Sequence, residues 1–388
     1  MTVFLFAYWY EPDAPADPVG LVRCWNLARA WTRAGDRVVA FVPAYASARI
    51  QREFKVVPIP LVPWRILRQL AYAVGSFFAA LLVAARTRPS VVYYRLFESP
   101  HPLLLARLLG ATCVCEVAGE PVPSWWAAEH SRLRVWLSRC LASLALRRVD
   151  RVVVLTEGLR DYVIGEYGLS ADRVMVIPSG TDTDLFGLAD RTECRRRLGL
   201  PADADLIGFI GSFYRYQGLD ILIDVLPSVQ KRRPQARLLF VGDGEERDPL
   251  RIRAERLGLE KFIIWQGRVP YQDVPDWIGA MDVCVAPFRA DRGETSPVKL
   301  FDALSCGRPV VATAIPSLVG MFSDNQGVVL IPPAEPEALA EAIAHVLENP
   351  EWAAALGERG RRFVEERYSW ATLLRRLRHE VLTAEASA

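Results

Sequence analysis

Residues 292–313 read Arg-Gly-Glu-Thr-Ser-Pro-Val-Lys-Leu-Phe-Asp-Ala-Leu-Ser-Cys-Gly-Arg-Pro-Val-Val-Ala-Thr. Apolar runs at 283–287 and 309–313 flank a helical stretch at 297–306, which predicts strand, loop, helix, glycine turn and second strand. Thr295 and Ser296 are helix-capping residue types, and Pro297 suits the first helical position. A helix begun in this way leaves backbone N–H groups unpaired, and such groups bind a diphosphate. Val298 and Lys299 fall in the first turn, where the lysine can add a point charge for a phosphate. The carboxylates Glu294 and Asp302 stand eight positions apart, one in the loop and one more than a turn inside the helix. Beside a phosphate site such groups serve hydroxyls. Their spacing alone also fits an ordinary capped helix with solvated charges.

The same alternation runs outward in both directions. Beyond residue 190, strands are predicted at 206–211, 237–242, 262–266, 283–287, 309–313 and 328–331, separated by helices at 191–198, 219–231, 245–257, 274–280 and 297–306. Upstream, strands at 3–8, 37–42, 91–94, 112–117 and 152–155 alternate with helices at 21–34, 66–85, 103–109 and 125–146. Residues 337–383 read as helical throughout. Alternation of this kind predicts parallel sheets in an α/β fold, and 388 residues suit two such domains. The predicted division is an N-terminal domain over 1–178, a linker over 179–190, a second domain over 191–366, and a C-terminal helix over 367–388 packing on the first domain. The linker rests on the turn-rich Pro-Ser-Gly-Thr-Asp-Thr-Asp at 178–184. Doubly wound sheets take their ligands outside the carboxyl ends of their strands.

Composition narrows the function. Lys and Arg number 47 against 45 Asp and Glu, so the net charge of +2 supplies no field that would draw in nucleic acid. The seven cysteines form no C-x-x-C pair and read as reduced, buried small hydrophobes without a structural zinc. Cys113 and Cys115 flank one residue, so a strand would turn both to the same face. The apolar first ten residues run into Glu11, Pro12 and Asp13, which predicts a buried strand instead of a signal peptide. Between Arg68 and Arg86 lie 17 uncharged residues, slightly short of a membrane span of about 20. That stretch has two readings, a core helix of the first domain or a helix dipping into an anionic membrane surface. The expected location is cytoplasmic, with residues 65–88 as the candidate contact to the inner face of the cytoplasmic membrane.

The segment from Glu294 to Asp302 resembles the E-x7-E donor signature of glycosyltransferase family 4, here E-x7-D in a Ser-Pro-x-Lys-Leu-Phe variant. Further stretches resemble that family in order and spacing: 174–186 its linker motif, 210–220 the first strand-loop-helix of its second domain, and 240–244 and 265–270 two later loops. The resemblance implies a GT-B fold, two doubly wound Rossmann-like domains facing a central cleft, with C-terminal helices crossing back to the first. It implies a retaining transfer from a UDP- or GDP-sugar to a saccharide or lipid-linked saccharide, in glycan or polysaccharide synthesis, with no metal or other cofactor. In the roles it implies, Glu294 meets sugar hydroxyls and Asp302, one methylene shorter than the usual Glu, holds the ribose. Ser212 and Gln217 occupy positions where the family commonly has bases, so Arg215 and Lys299 are expected to supply the charge for the diphosphate. Gly211 and Gly242 end strands beside the donor; Gly267, Arg268 and Val269 line the nucleotide base; Thr295, Ser296, Pro297 and Val298 form the helix start. From the first domain Gly20 opens a helix toward the diphosphate, with Arg23 on its first turn. Glu116, Glu120 and His101 are the candidates facing the acceptor, while His130, His345 and His379 fall on helices facing solvent. Asp182-Thr-Asp184 is formally a metal-binding D-x-D, but its place in a linker turn makes it structural. Two competing readings are another sugar-nucleotide enzyme of this fold, such as an epimerase, and a non-catalytic nucleotide-sugar binding protein.

Overall fold

The computed structural model describes residues 1–8, 19–47, 53–97, 99–122, 131–290, 296–322 and 326–385. It divides into two units, Met1–Ser179 with Trp370–Ala388, and Gly180–Ser369.

In the first unit the chain runs β1 (Thr2–Phe6), α1 (Val19–Arg33), β2 (Arg37–Pro43), α2 (Ala44–Ser47), β3 (Lys55–Ile59), α3 (Arg65–Ala84), β4 (Val91–Arg95), α4 (His101–Leu109), β5 (Thr112–Val117), α5 (Arg132–Arg148), β6 (Arg151–Val154), α6 (Glu157–Tyr167) and β7 (Val174–Val176). Its strands form one sheet in the order β3-β2-β1-β4-β5-β6-β7, with every pairing parallel. Helices cover both faces, so the strand interiors are largely apolar, with Glu116 on β5 the charged exception and the other charges at strand ends. Along β1, Val3 and Leu5 enter one core with α1, while Phe4 and Phe6 enter the other with α3, α4, α5 and α6. Cys113 and Cys115 both fall in the second core, as strand alternation predicts. The sequence reading passed over β3 and β7. Both are edge strands, β3 interrupted by Pro58 and β7 only three residues long, so neither carries a clear periodic signal. The helix expected at 125–146 is described from Arg132, where the Ser131 hydroxyl accepts from the Arg134 N–H as an N-cap. Residues 123–130 lie outside the described residues.

The second unit runs α7 (Arg191–Leu198), β8 (Asp205–Ile210), α8 (Leu219–Arg232), β9 (Ala236–Val241), α9 (Arg247–Arg256), β10 (Ile263–Gly267), α10 (Val274–Gly279), β11 (Val283–Ala286), α11 (Val298–Ser305), β12 (Val310–Thr313), α12 (Pro316–Val319), β13 (Val328–Ile331), α13 (Pro336–Glu348) and α14 (Pro350–Arg367). Its strands form a second, all-parallel sheet in the order β10-β9-β8-β11-β12-β13. Residues 180–190, expected to form a linker, belong to this unit. Thr181 and Phe186 are fully buried, and the Ser305 hydroxyl donates to the Phe186 carbonyl at 2.6 Å. The helical tail is broken twice, first by Pro350, which lacks the N–H needed to continue a helix, and again at Ser369, which bridges to Thr181. The last helix, α15 (Trp370–Glu385), returns to the first unit, where Trp370, Leu373, Leu374, Leu377 and Val381 are buried in the α1 core.

Candidate functional site

In the second sheet the chain turns in opposite directions from β8 and β11, which makes the carboxyl ends of these neighbouring strands a topological switch point. Three strand ends are held level there: the Gly211 N–H donates to the Val241 carbonyl at 2.9 Å, and the Gly242 N–H to the Gly267 carbonyl at 2.8 Å. Gly211 and Gly242 have φ of +135° and +138°, and a Cβ on Gly242 would lie 1.9 Å from the Gly211 oxygen. Only glycine permits that approach. The loop after β8 then makes a single 3-10 turn, Arg215–Gln217, with Arg215 exposed and Gln217 buried.

Lys299, from the first turn of α11, reaches back to this loop. Its ammonium donates to Gln217 Oε1 at 2.9 Å, lies 4.1 Å from the Phe209 ring centroid, and sits where a Cβ on Gly211 would approach within 2.9 Å. A lysine on α11 thus delivers its charge to the position of Gln217. Arg289, which the sequence reading missed, ties the loop after β11 to the same place. Its backbone N–H donates to the Tyr216 carbonyl at 3.1 Å, its Nε to the Arg215 carbonyl at 3.2 Å, and it pairs with Asp220. Carbonyl partners leave no mark in a sequence.

The helix start differs from expectation. α11 begins at Val298, with Pro297 at the N-cap and no side-chain cap, since proline carries no side-chain acceptor; the carbonyls of Ser296 and Pro297 accept from the Val298 and Leu300 N–H groups. Glu294 and Thr295 lie outside the described residues. Asp302 is 6 % exposed and accepts a hydrogen bond from the Thr181 hydroxyl at 2.5 Å. Burial, with Asp182 nearby, raises its carboxyl to about 7 against the effect of that hydrogen bond. Asp302, the expected ribose ligand, is thus buried and bonded to Thr181. Ser212 is half-buried, Arg268 exposed, and Val269 packs partly on the core containing Trp277 and Phe301.

The first-unit candidates separate. Gly20 is the second residue of α1. Glu116, expected to face an acceptor, is fully buried: Arg23 Nε donates to its Oε2 at 2.9 Å, and the Tyr93 hydroxyl donates to the same oxygen. Burial alone would raise the carboxyl, but the Arg23 and Arg95 charges and the Tyr93 hydrogen bond hold it below its usual value. Arg23 also donates to the carbonyls of Pro178 at 2.8 Å and Ile177 at 2.9 Å and lies over the Trp370 ring, so it serves as a structural pin and not as a phosphate contact. Glu120 is exposed in the loop after β5. His101 begins α4 at the carboxyl edge of the first sheet, with Nε2 2.9 Å from the Ser76 hydroxyl and Nδ1 3.0 Å from the Ser99 hydroxyl. Burial lowers its imidazole to about 4, leaving it neutral at pH 7. His345 and His379 are exposed, and His130 lies outside the described residues. Asp182 Oδ1 accepts from the backbone of Asp184 and Leu185 at 3.2 and 3.3 Å, a turn-stabilising role that agrees with the structural reading of the D-x-D.

Comparison with known proteins bears on both halves of the chain. Residues 22–185 match the family described as Glycosyltransferase Family 4, and residues 190–363 match Glycosyl transferases group 1. The chain is 32 % identical over 223 residues to D-inositol 3-phosphate glycosyltransferase 1 of Catenulispora acidiphila, covering 55 % of this chain and 53 % of that protein. It is 28 % identical over 257 residues to the GDP-mannose-dependent alpha-(1-6)-phosphatidylinositol monomannoside mannosyltransferase of Mycolicibacterium smegmatis, covering 63 % and 66 %. The chain thus spans about half the length of the first of these curated relatives. Among solved structures, sucrose-phosphate synthase from Thermosynechococcus elongatus superposes with TM-score 0.77 at 19 % identity, covering 100 % of both chains. Anabaena HepE in complex with UDP and glucose superposes with TM-score 0.75 at 19 % identity, covering 99 % of this chain and 100 % of that one. These matches and the two sheets identify a chain of GT-B fold whose residues 22–185 match the Glycosyltransferase Family 4 model and whose residues 190–363 match the Glycosyl transferases group 1 model.

Proposed function

We propose that this protein is a retaining, metal-independent glycosyltransferase that moves a sugar from a UDP- or GDP-sugar to a saccharide or lipid-linked saccharide in glycan or polysaccharide synthesis. The donor class is supported by HepE, solved with UDP and glucose, and by the mycobacterial relative, named for its dependence on GDP-mannose. The observation that carries the reading is the Lys299 ammonium, held by Gln217 beside Gly211 at a switch point. As the bond between the anomeric carbon and the diphosphate oxygen breaks, negative charge collects on the leaving diphosphate. Lys299, Arg215 and the start of α11 neutralise it with charges and dipoles already in place, the kind of stabilisation worth most to such a step. Glu294 holds the sugar hydroxyls, Asp302 the ribose, and Gly267, Arg268 and Val269 the base. The protein acts in the cytoplasm, with α3 against the inner face of the cytoplasmic membrane.

A thermal-shift series with UDP-, GDP- and ADP-sugars identifies the donor, because a ligand bound to the native state raises the melting temperature. Labelled donor is then incubated with and without acceptor, in the presence of a metal chelator. Transfer that needs acceptor and survives chelation is the expected result; isomerised donor without acceptor would instead mark an epimerase, and an unaltered bound donor a binding protein. Glu294→Ala should abolish transfer while leaving the melting temperature unchanged, and wild-type turnover in that variant would remove Glu294 from the site.

A further inference from the structure

Every exposed large hydrophobic side chain described in the first unit lies on α3, α4 or α5, or on Trp64 immediately before α3. These helices are neighbours in one layer: α3 packs on α4, and α4 meets the end of α5 where Arg107 Nη2 donates to the Arg148 carbonyl at 2.7 Å. On α3 the outward residues Leu70, Val74, Phe78 and Leu82 recur every four positions and are 49–76 % exposed. Leu104 and Leu108 extend the surface across α4, and Trp136 and Leu137 across α5. An apolar surface this extended on a water-soluble unit marks a contact.

Its charge is one-sided. α3 carries two arginines, α4 one and α5 five, and none of the three helices contains an Asp or Glu. The next helix in the same layer, α6, turns Glu157, Asp161 and Glu166 outward and has no exposed large hydrophobic residue. A groove of about 1430 Å³ is lined by Val74 and Phe78 of α3, Leu104 and Arg107 of α4, and Arg147 and Arg148 of α5, and its arginines, which include Arg151 and Arg173, outnumber Asp150 and Asp172. α3 is long and apolar enough to cross a membrane, yet Tyr72, Ser76 and Ala80 on its inner side are fully buried and the Tyr72 hydroxyl donates to the Phe41 carbonyl at 2.7 Å. One face is committed to the core, so the helix can lie on a membrane but not traverse it.

We infer that α3, α4 and α5 together form one docking face for an anionic lipid bilayer, with their apolar residues entering the headgroup boundary and their arginines meeting lipid phosphates. This widens the membrane reading of α3 to a three-helix surface and stands independently of sugar transfer. A second copy of the chain is the poorer occupant, since pairing two such faces would set arginines against arginines. A bilayer of anionic lipid supplies both the missing negative charge and the apolar interior.

The test is co-flotation of the full chain with vesicles of phosphatidylglycerol mixed into phosphatidylcholine, against vesicles of phosphatidylcholine alone. Binding is expected to the anionic vesicles only, to weaken with added salt, and to fall about fivefold for each arginine removed in Arg134→Gln and Arg139→Gln. Phe78→Glu with Leu82→Glu, and separately Trp136→Glu with Leu137→Glu, should each abolish flotation. All these side chains are exposed, so the melting temperature should not change, and a retained nucleotide-sugar shift in the variants keeps this result separate from the donor reading. Failure to float with anionic vesicles overturns the proposal. So does flotation retained in the Trp136→Glu with Leu137→Glu variant, which would leave α3 as the sole contact, or a dimer in sedimentation equilibrium that the same substitutions dissociate.

Discussion

At the scale of single residues, Lys299 and Asp302 share one helix, the lysine half-buried against Gln217 and the aspartate buried against Thr181. Lys299 places its ammonium on Gln217, at a position where the resembling family commonly carries a base. Lys299→Gln should lower transfer roughly 10²- to 10³-fold with little change in melting temperature, the size seen when one preorganised stabilising group is lost. The exchange Gln217→Lys with Lys299→Gln should recover much of that loss, because the charge returns to the same place from the other side of the hydrogen bond. Gln217→Lys alone sets two ammonium groups in contact and should lower the melting temperature. Comparing the four proteins as a cycle checks all three statements. Asp302 makes a pH-dependent prediction. Its folded-state value of about 7 lies above the unfolded value of about 3.9, so the folded protein holds the extra proton between them. Stability from this group is complete below about pH 4 and is lost as pH rises through about 7. Asp302→Asn should therefore raise the melting temperature at pH 8 and flatten its decline between pH 5 and pH 8; an unchanged slope would show that another group titrates there.

At the scale of elements, the first unit depends on a buried ion pair that joins segments distant in sequence. Arg23 on α1 meets Glu116 on β5, the carbonyls after β7, and Trp370 at the start of α15. A guanidinium suits the task because its planar fork serves several acceptors at once, which a lysine cannot reproduce. Arg23→Met leaves the Glu116 carboxylate buried without its cation and should cost about 3–5 kcal/mol in chemical denaturation. Glu116→Gln should cost less, since it removes the buried charge of one partner while keeping an acceptor for Arg23 and Tyr93. If Glu116→Gln instead abolished transfer without changing stability, Glu116 would belong to the acceptor site after all.

At the scale of the whole molecule, the chain leaves the first unit at Ser179 and returns at Trp370, so the first unit is completed only by the last residues folded into it. Removing residues 370–388 takes Trp370, Leu373, Leu374, Leu377 and Val381 out of the α1 core. At about 1.5–3 kcal/mol for each buried apolar side chain the loss is about 10 kcal/mol, comparable to the entire stability of a domain. The truncated protein should show the first unit digested early in limited proteolysis while residues 180–369 persist. Equal resistance of both units would mean that the α1 core closes without α15.

Both sheets, nearly all their strands, and the helix, glycine turn and strand over 297–313 are legible locally, because each is written as a period of apolar residues or as a glycine or proline at a turn. Gly211 and Gly242 were legible for the same reason, since a backbone that must approach another backbone excludes every larger residue. Tertiary structure alone decided what the polar residues do. Glu116 reads in the sequence as a strand-end carboxylate facing an acceptor, but the fold brings Arg23, 93 positions away, against it, and Asp302 finds Thr181 across 121 positions. The short edge strands β3 and β7 likewise exist only because a neighbouring strand supplies their hydrogen bonds. Periodicity is a property of adjacent residues, whereas the partner of a buried charge is chosen by the fold, and a side chain's chemistry follows from that partner.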